Sequence, residues 1–82
     1  MVIFEFDPLF NKKVEKIKDQ LVKEKVKKQI KKILESPEIG KPMRFLRKGT
    51  REVYVPPFRL SYLYIPEENK ISFLDLYHKD EQ

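Results

Sequence analysis

Hydrophobic spacing changes character once along this chain, at Gly40, and that change constrains the fold more than any single residue does. Before Gly40 apolar residues recur with the period of a helix, and after it with the period of a strand. Phe10, Val14, Ile17 and Leu21 follow one another at spacings of 4, 3 and 4, and Val22, Val26, Ile30, Ile33 and Leu34 make a second stripe. The stripes do not join cleanly across Asp19-Gln20-Leu21-Val22, which predicts a short break and an antiparallel helix pair. Asp7-Pro8 supplies the start, with Asp7 as N-cap and proline at the first helical position, and Ser36-Pro37 ends the second helix. Ahead of the pair, Val2 to Phe6 reads as a short strand with Val2, Phe4 and Phe6 on one side. Beyond Gly40, Met43 to Arg47 is expected to be a strand and Lys48-Gly49 a turn. Arg51 to Val55 alternates, Val53 and Val55 inward, Glu52 and Tyr54 outward. Pro56-Pro57 makes a rigid connection to a strand from Phe58 to Ile65, Pro66 to Asn69 a hairpin loop, and Lys70 to Tyr77 the last strand. The order β-α-α-β-β-β-β predicts a single α+β domain over residues 1–82. Its helices cover one face of a mainly antiparallel sheet and leave the other face open.

Eighty-two residues leave no room for a second domain. The absence of cysteine excludes a disulfide scaffold and thiolate zinc sites, and one histidine excludes a site built on several imidazoles. No metal or cofactor is expected. No apolar run approaches the ~18 residues of a membrane span. The start Met1-Val2-Ile3-Phe4-Glu5 lacks the basic segment and apolar core of a signal peptide, so a cytoplasmic location is expected. The net charge of +5 is unevenly distributed: residues 12–32 hold ten lysines against Glu15, Asp19 and Glu24, while all four arginines (Arg44, Arg47, Arg51, Arg59) lie in residues 33–65. Lysine suits a solvated helix face or a diffuse phosphate contact, whereas the planar arginine fork suits a placed phosphate or carboxylate. A polyanionic partner follows as an expectation.

There is no P-loop, no GxGxxG, no HExxH and no carboxylate pair at a useful spacing. The remaining chemistry lies in Arg47, Lys48, Arg51, Arg59, His78 and Lys79, with Tyr54, Tyr62, Tyr64 and Tyr77 nearby in sequence. Strand alternation puts Arg59, Ser61 and Leu63 on one face and Phe58, Leu60, Tyr62 and Tyr64 on the other. An arginine in mid-sheet is costly to bury alone, so Arg59 either faces solvent on the open side or pairs with an acid such as Glu52 or Asp75. Cations among aromatic rings on an open sheet suit single-stranded RNA, phosphates held by Arg and Lys and bases stacked on rings. Cleavage there would be metal-free: the 2′-OH attacks phosphorus, cations stabilise the phosphorane, and an ionisable group protonates the leaving 5′-oxygen. His78 alone has an unperturbed pKa near neutrality.

The order of residues is more specific than their composition. Glu35-Ser36-Pro37, Gly40-Lys41-Pro42-Met43-Arg44, Leu46-Arg47-Lys48-Gly49-Thr50-Arg51-Glu52-Val53, Phe58-Arg59-Leu60-Ser61-Tyr62 and Phe73-Leu74-Asp75-Leu76-Tyr77-His78-Lys79-Asp80-Glu81 together resemble the RelE/ParE toxin superfamily. The resemblance covers the whole chain in register. It implies a microbial-ribonuclease-like fold and the toxin of a type II toxin–antitoxin pair, here with an acidic, amphipathic antitoxin as partner. RelE-like members cut mRNA in the ribosomal A site and so inhibit translation; ParE-like members act on DNA gyrase. By resemblance, Arg59 sits at the scissile phosphate, Lys79 assists the leaving group, His78 serves as general acid as in the YoeB-like branch, and Arg51 joins them. Arg44, Arg47, Lys48, Tyr54 and Tyr77 are expected to bind nucleic acid. The chain also departs from the pattern: Glu52 and Tyr54 stand where RelE-like toxins often have two lysines, and it ends at Asp80-Glu81-Gln82 without the usual C-terminal tyrosine. These departures favour two alternatives, a gyrase-directed toxin or a weakened homologue that only binds antitoxin.

Overall fold

In the computed structural model, which describes residues 2–43 and 48–78, the first strand leads directly into a helix. Strand β1 (Ile3–Phe6) is followed by α1 (Pro8–Glu15), whose N-cap Asp7 is extended and accepts from the Leu9 amide at 2.9 Å. Helix α2 (Gln20–Glu35) starts in the same way, with Asp19 accepting from the Leu21 amide at 2.8 Å. The break predicted between the helices therefore falls just before Asp19. Ile17 lies in that connection rather than on a helix, yet it is buried, which explains why it fits the apolar stripe. Ser36 caps the C-terminus of α2 as expected.

The remaining strands are β2 (Lys41–Pro42), β3 (Thr50–Val55), β4 (Phe58–Ile65) and β5 (Lys70–His78), with a 3-10 turn at Pro66–Glu68 before β5. The short strand β2 lies ahead of the strand expected from Met43 to Arg47, and Met43 itself is not in a strand; residues 44–47, Arg44 and Arg47 among them, lie outside the described residues. Gly49 turns the chain at φ +93°, a conformation that costs glycine little. The five strands run in the order β1-β5-β4-β3-β2. All neighbours are antiparallel except β1 and β5, which bring the N-terminal strand beside the last one in parallel.

Register decides which side chains share a face. Val53 opposes Leu60, Val55 opposes Phe58, and Leu60 opposes Leu76. With Tyr62, Phe73 and Ile71 these residues pack under Phe10, Val26 and Ile33 of the helices to make the core. One irregularity in β5 matters for everything below. Ser61 pairs with Asp75 and Tyr62 with Phe73, so Leu74 is an extra residue, a β-bulge. Strict alternation from Ile71 and Phe73 would turn Tyr77 toward the helices. The bulge reverses the phase, so Leu76 enters the core and Tyr77 faces the open side.

Candidate functional site

The open face carries one row of side chains across three strands: Tyr54 of β3, Arg59 of β4 and Tyr77 of β5, directly opposite one another. In the next row stand Glu52 and Ser61. Arg59 approaches Glu52 diagonally, Nη1 to Oε1 3.7 Å, and the Tyr77 hydroxyl donates to Glu52 Oε2. Ser61, small and buried, lies between Tyr77 and Glu52 and leaves room for that bond to cross β4. The guanidinium carbon of Arg59 lies 5.8 Å from the Tyr54 ring centroid, within cation–π range. Of the two alternatives for Arg59, the structure thus combines both: it pairs with Glu52 and stays on the open side.

The pair is unequal. The Glu52 side chain is 5% exposed and Arg59 38%, so the carboxylate is the buried anchor and the guanidinium its half-exposed head. Glu52 Oε1 and Arg59 Nε are buried and make no hydrogen bond among the described residues. The ion pair therefore orients Arg59 without saturating it. A groove of about 620 Å³ opens beside it, lined by Lys41, Pro42, Met43, Glu52, Tyr54 and Arg59. Lys41 opposes Glu52 in register and brings a second cation to this face. Sequence reasoning missed Lys41 as a site residue, and it named Glu52 both as a departure from the family pattern and as one of two possible acid partners for Arg59, the one the structure selects. The signal for Lys41 was a lysine just before Pro42, readable only once the short β2 is known to pair with β3.

Other candidates are placed elsewhere. Arg51 opposes Tyr62 on the helix side, where its Nη1 donates to the carbonyls of Gly40 at 2.7 Å and Glu38 at 3.0 Å. It ties down the chain leaving α2 rather than joining Arg59. Tyr62 does the same from below, its hydroxyl donating to the Pro37 carbonyl at 2.7 Å and accepting from the Gly40 amide at 2.9 Å. Burial pushes the Tyr62 phenol above its ordinary 10.0, although the Gly40 hydrogen bond and the Arg51 charge pull it down. His78 opposes Phe58 on the helix side, ring centroids 6.0 Å apart and edge-on. The bulge that brings Tyr77 to Arg59 thus carries His78 away from it. Lys48 lies by Gly49 at the far end of β3, lining a different groove with Arg51 and Tyr64. Lys79 is outside the described residues. Among the described residues no group of three His, Asp or Glu side chains is placed to hold a metal ion.

The sequence profile of the ParE toxins of type II toxin–antitoxin systems (parDE) matches residues 4–82. The chain belongs to the ParE toxin family. It is thereby a toxin-type component of a toxin–antitoxin system, within the wider RelE/ParE group. Its fold is that of solved RelE toxins. The isolated Escherichia coli RelE toxin superposes with a TM-score of 0.79 at 22% identity, covering 95% of this chain and 84% of that one. RelE in the intact E. coli RelBE toxin–antitoxin complex gives 0.80 at 22% identity, over 95% and 96% of the two chains. The RelBE toxin–antitoxin complex of Mycobacterium tuberculosis gives 0.77 at 20% identity, over 95% and 98%. No curated protein matches the sequence. No helix among the described residues is long and apolar enough to cross a membrane.

Proposed function

We propose that this toxin cleaves mRNA in the ribosomal A site and is held inactive by a cognate antitoxin. The observation that carries the reading is Arg59, aimed into the open-face groove between Tyr54 and Tyr77 with Lys41 alongside. An RNA strand laid there places a phosphate on the guanidinium and a base on a tyrosine ring. The 2′-hydroxyl gives its proton to solvent as its oxygen attacks phosphorus, the bond to the 5′-oxygen breaks, and a 2′,3′-cyclic phosphate remains. Arg59 and Lys41 stabilise the charge that builds on the phosphorane oxygens. The leaving 5′-oxygen takes a proton from one of the two tyrosine hydroxyls that stand opposite Arg59 in register, Tyr54 and Tyr77. His78, on the other face, is not assigned that step. Antitoxins accompany RelE toxins in the solved complexes, which supports an antitoxin partner here.

One observation favours a second reading. Glu52 cancels much of the charge that Arg59 would offer a phosphate, as suits a toxin that binds a protein such as DNA gyrase. A single experiment separates the two: expression of the toxin alone, with Arg59→Ala beside it, followed by mapping of mRNA 5′ ends on ribosomes. Growth arrest with A-site ends that vanish in the variant supports the nuclease. Arrest without such ends, accompanied by loss of supercoiling activity, supports gyrase. A folded protein that arrests nothing leaves the antitoxin-binding module.

A further inference from the structure

Outside the open face, three lysines line one groove where α2 passes the end of β3. Lys25, Lys28 and Lys32 are spaced by 3 and 4 residues and so lie on one face of the helix. Together with Tyr54 and Pro56 they line a groove of about 180 Å³ floored by the buried Val55. All three lysines are exposed, and none forms an ion pair with a carboxylate among the described residues. Strand β2 covers β3 only at Arg51 and Glu52, so no described strand lies along the edge from Val53 onward. Like charges gathered around one concavity repel each other, and an anion seated among them removes that repulsion.

We propose that this groove is a second phosphate-binding track for single-stranded nucleic acid, continuous with the Arg59 face through Tyr54. The inference rests on the RNA reading of that face and adds to it the path of the strand. Tyr54 lines both grooves, with Arg59 on one side and the lysines on the other. A strand stacked on its ring passes from the guanidinium, which places one phosphate, to three flexible ammonium groups that accept phosphates in any sequence. An acidic amphipathic peptide fits less well, because such a segment is held by a row of apolar anchors. Among the described residues, Tyr54 is the one exposed large apolar side chain that lines this groove, while Ile3, Phe4, Phe6 and Leu9 gather around β1 at the opposite edge of the sheet.

The test uses a fluorescein-labelled 2′-O-methyl oligouridylate, which the toxin cannot cut, and anisotropy at several salt concentrations. The triple variant Lys25→Gln, Lys28→Gln, Lys32→Gln is compared with Lys16→Gln, Lys27→Gln, Lys31→Gln, which removes the same charge elsewhere on the exposed surface. Loss of three phosphate contacts at about 0.7 each flattens the slope of log K against log salt by about 2. Affinity at low salt is expected to fall roughly tenfold or more, with a clearly smaller loss in the control. Equal losses in the two triples overturn the proposal. So does a poly-glutamate chain that competes with the oligonucleotide on the wild type at equal affinity, since the groove is then a site for acidic peptide. The ribosome mapping with Arg59→Ala is read separately. Binding lost in the groove triple with no cleavage anywhere sinks the nuclease and leaves the track; cleavage lost in Arg59→Ala with indistinguishable triples sinks the track alone.

Discussion

At the scale of single residues, the open face is governed by one carboxylate. Glu52 orients Arg59, accepts from Tyr77 and offsets a positive charge that a phosphate would otherwise meet. Glu52→Gln keeps an acceptor for Tyr77 and removes the charge. Binding of single-stranded RNA is expected to tighten several-fold, with a salt slope steeper by about 0.7, the signature of one added phosphate contact; anisotropy titrations check it, and a slope identical to wild type counts against an attenuating Glu52. Tyr62 is the second residue whose role the structure makes explicit. Its raised pKa means that the folded protein holds the phenolic proton more tightly than the unfolded chain does. That stability is complete below pH 10 and lost as pH rises through the higher folded value. Tyr62→Phe is expected to cost about 1–3 kcal/mol near neutral pH, because the Gly40 amide and Pro37 carbonyl lose their partner. The deficit should shrink as pH rises beyond 10, which urea unfolding of both proteins from pH 8 to 11 would show. Of these roles, an acid partner for Arg59 was legible, because a mid-strand arginine needs one. The Tyr62 role was not, because nothing in Phe58-Arg59-Leu60-Ser61-Tyr62 says that a buried tyrosine reaches a loop more than twenty residues earlier.

At the scale of elements, the sequence declares whatever is periodic or capped. Asp7-Pro8 marks the start of α1 and Ser36 the end of α2, and alternation in β3 and β4 assigns faces that the register bears out. It hides what breaks the period. Residues 70–77 read as a plain strand, and strict alternation carried through to His78 gives the wrong face to both Tyr77 and His78; only the extra Leu74 turns one toward Arg59 and the other toward Phe58. That single residue is why a general acid inferred from resemblance ends up on the far side of the sheet. The connection from α2 to β2 is likewise a device, pinned by Arg51 and Tyr62. A Cβ at Gly40 would lie 2.6 Å from the Tyr62 hydroxyl oxygen and 2.8 Å from a ring carbon. Gly40→Ala is therefore expected to push the loop off the sheet at a cost of about 1–3 kcal/mol, the range for overpacking a tight site. A thermal melt indistinguishable from wild type would show that the loop gives way freely.

At the scale of the whole molecule, the two edges of the sheet are built for different company. The β3 edge faces lysines. The β1 edge pairs with β5 on one side only and surrounds its other side with Ile3, Phe4, Phe6 and Leu9, all exposed. An edge strand with apolar neighbours is a template for pairing with another chain, and soluble proteins usually blunt such edges with charge. Here the only charge on β1 is Glu5, which is held by Lys70 at 3.2 Å and faces the open side with Ser72. Free toxin is therefore expected to self-associate at this edge whenever no partner covers it. Ile3 is 63% exposed, so Ile3→Lys puts a charge on the edge while removing little buried surface. Sedimentation of the isolated toxin should show the association weakened and the melting temperature shifted by no more than a degree or two. If association persists unchanged, β1 is not the contact. If the melting temperature falls sharply, Ile3 packs more tightly than its exposure indicates, and the edge is a part of the core rather than a surface awaiting a partner.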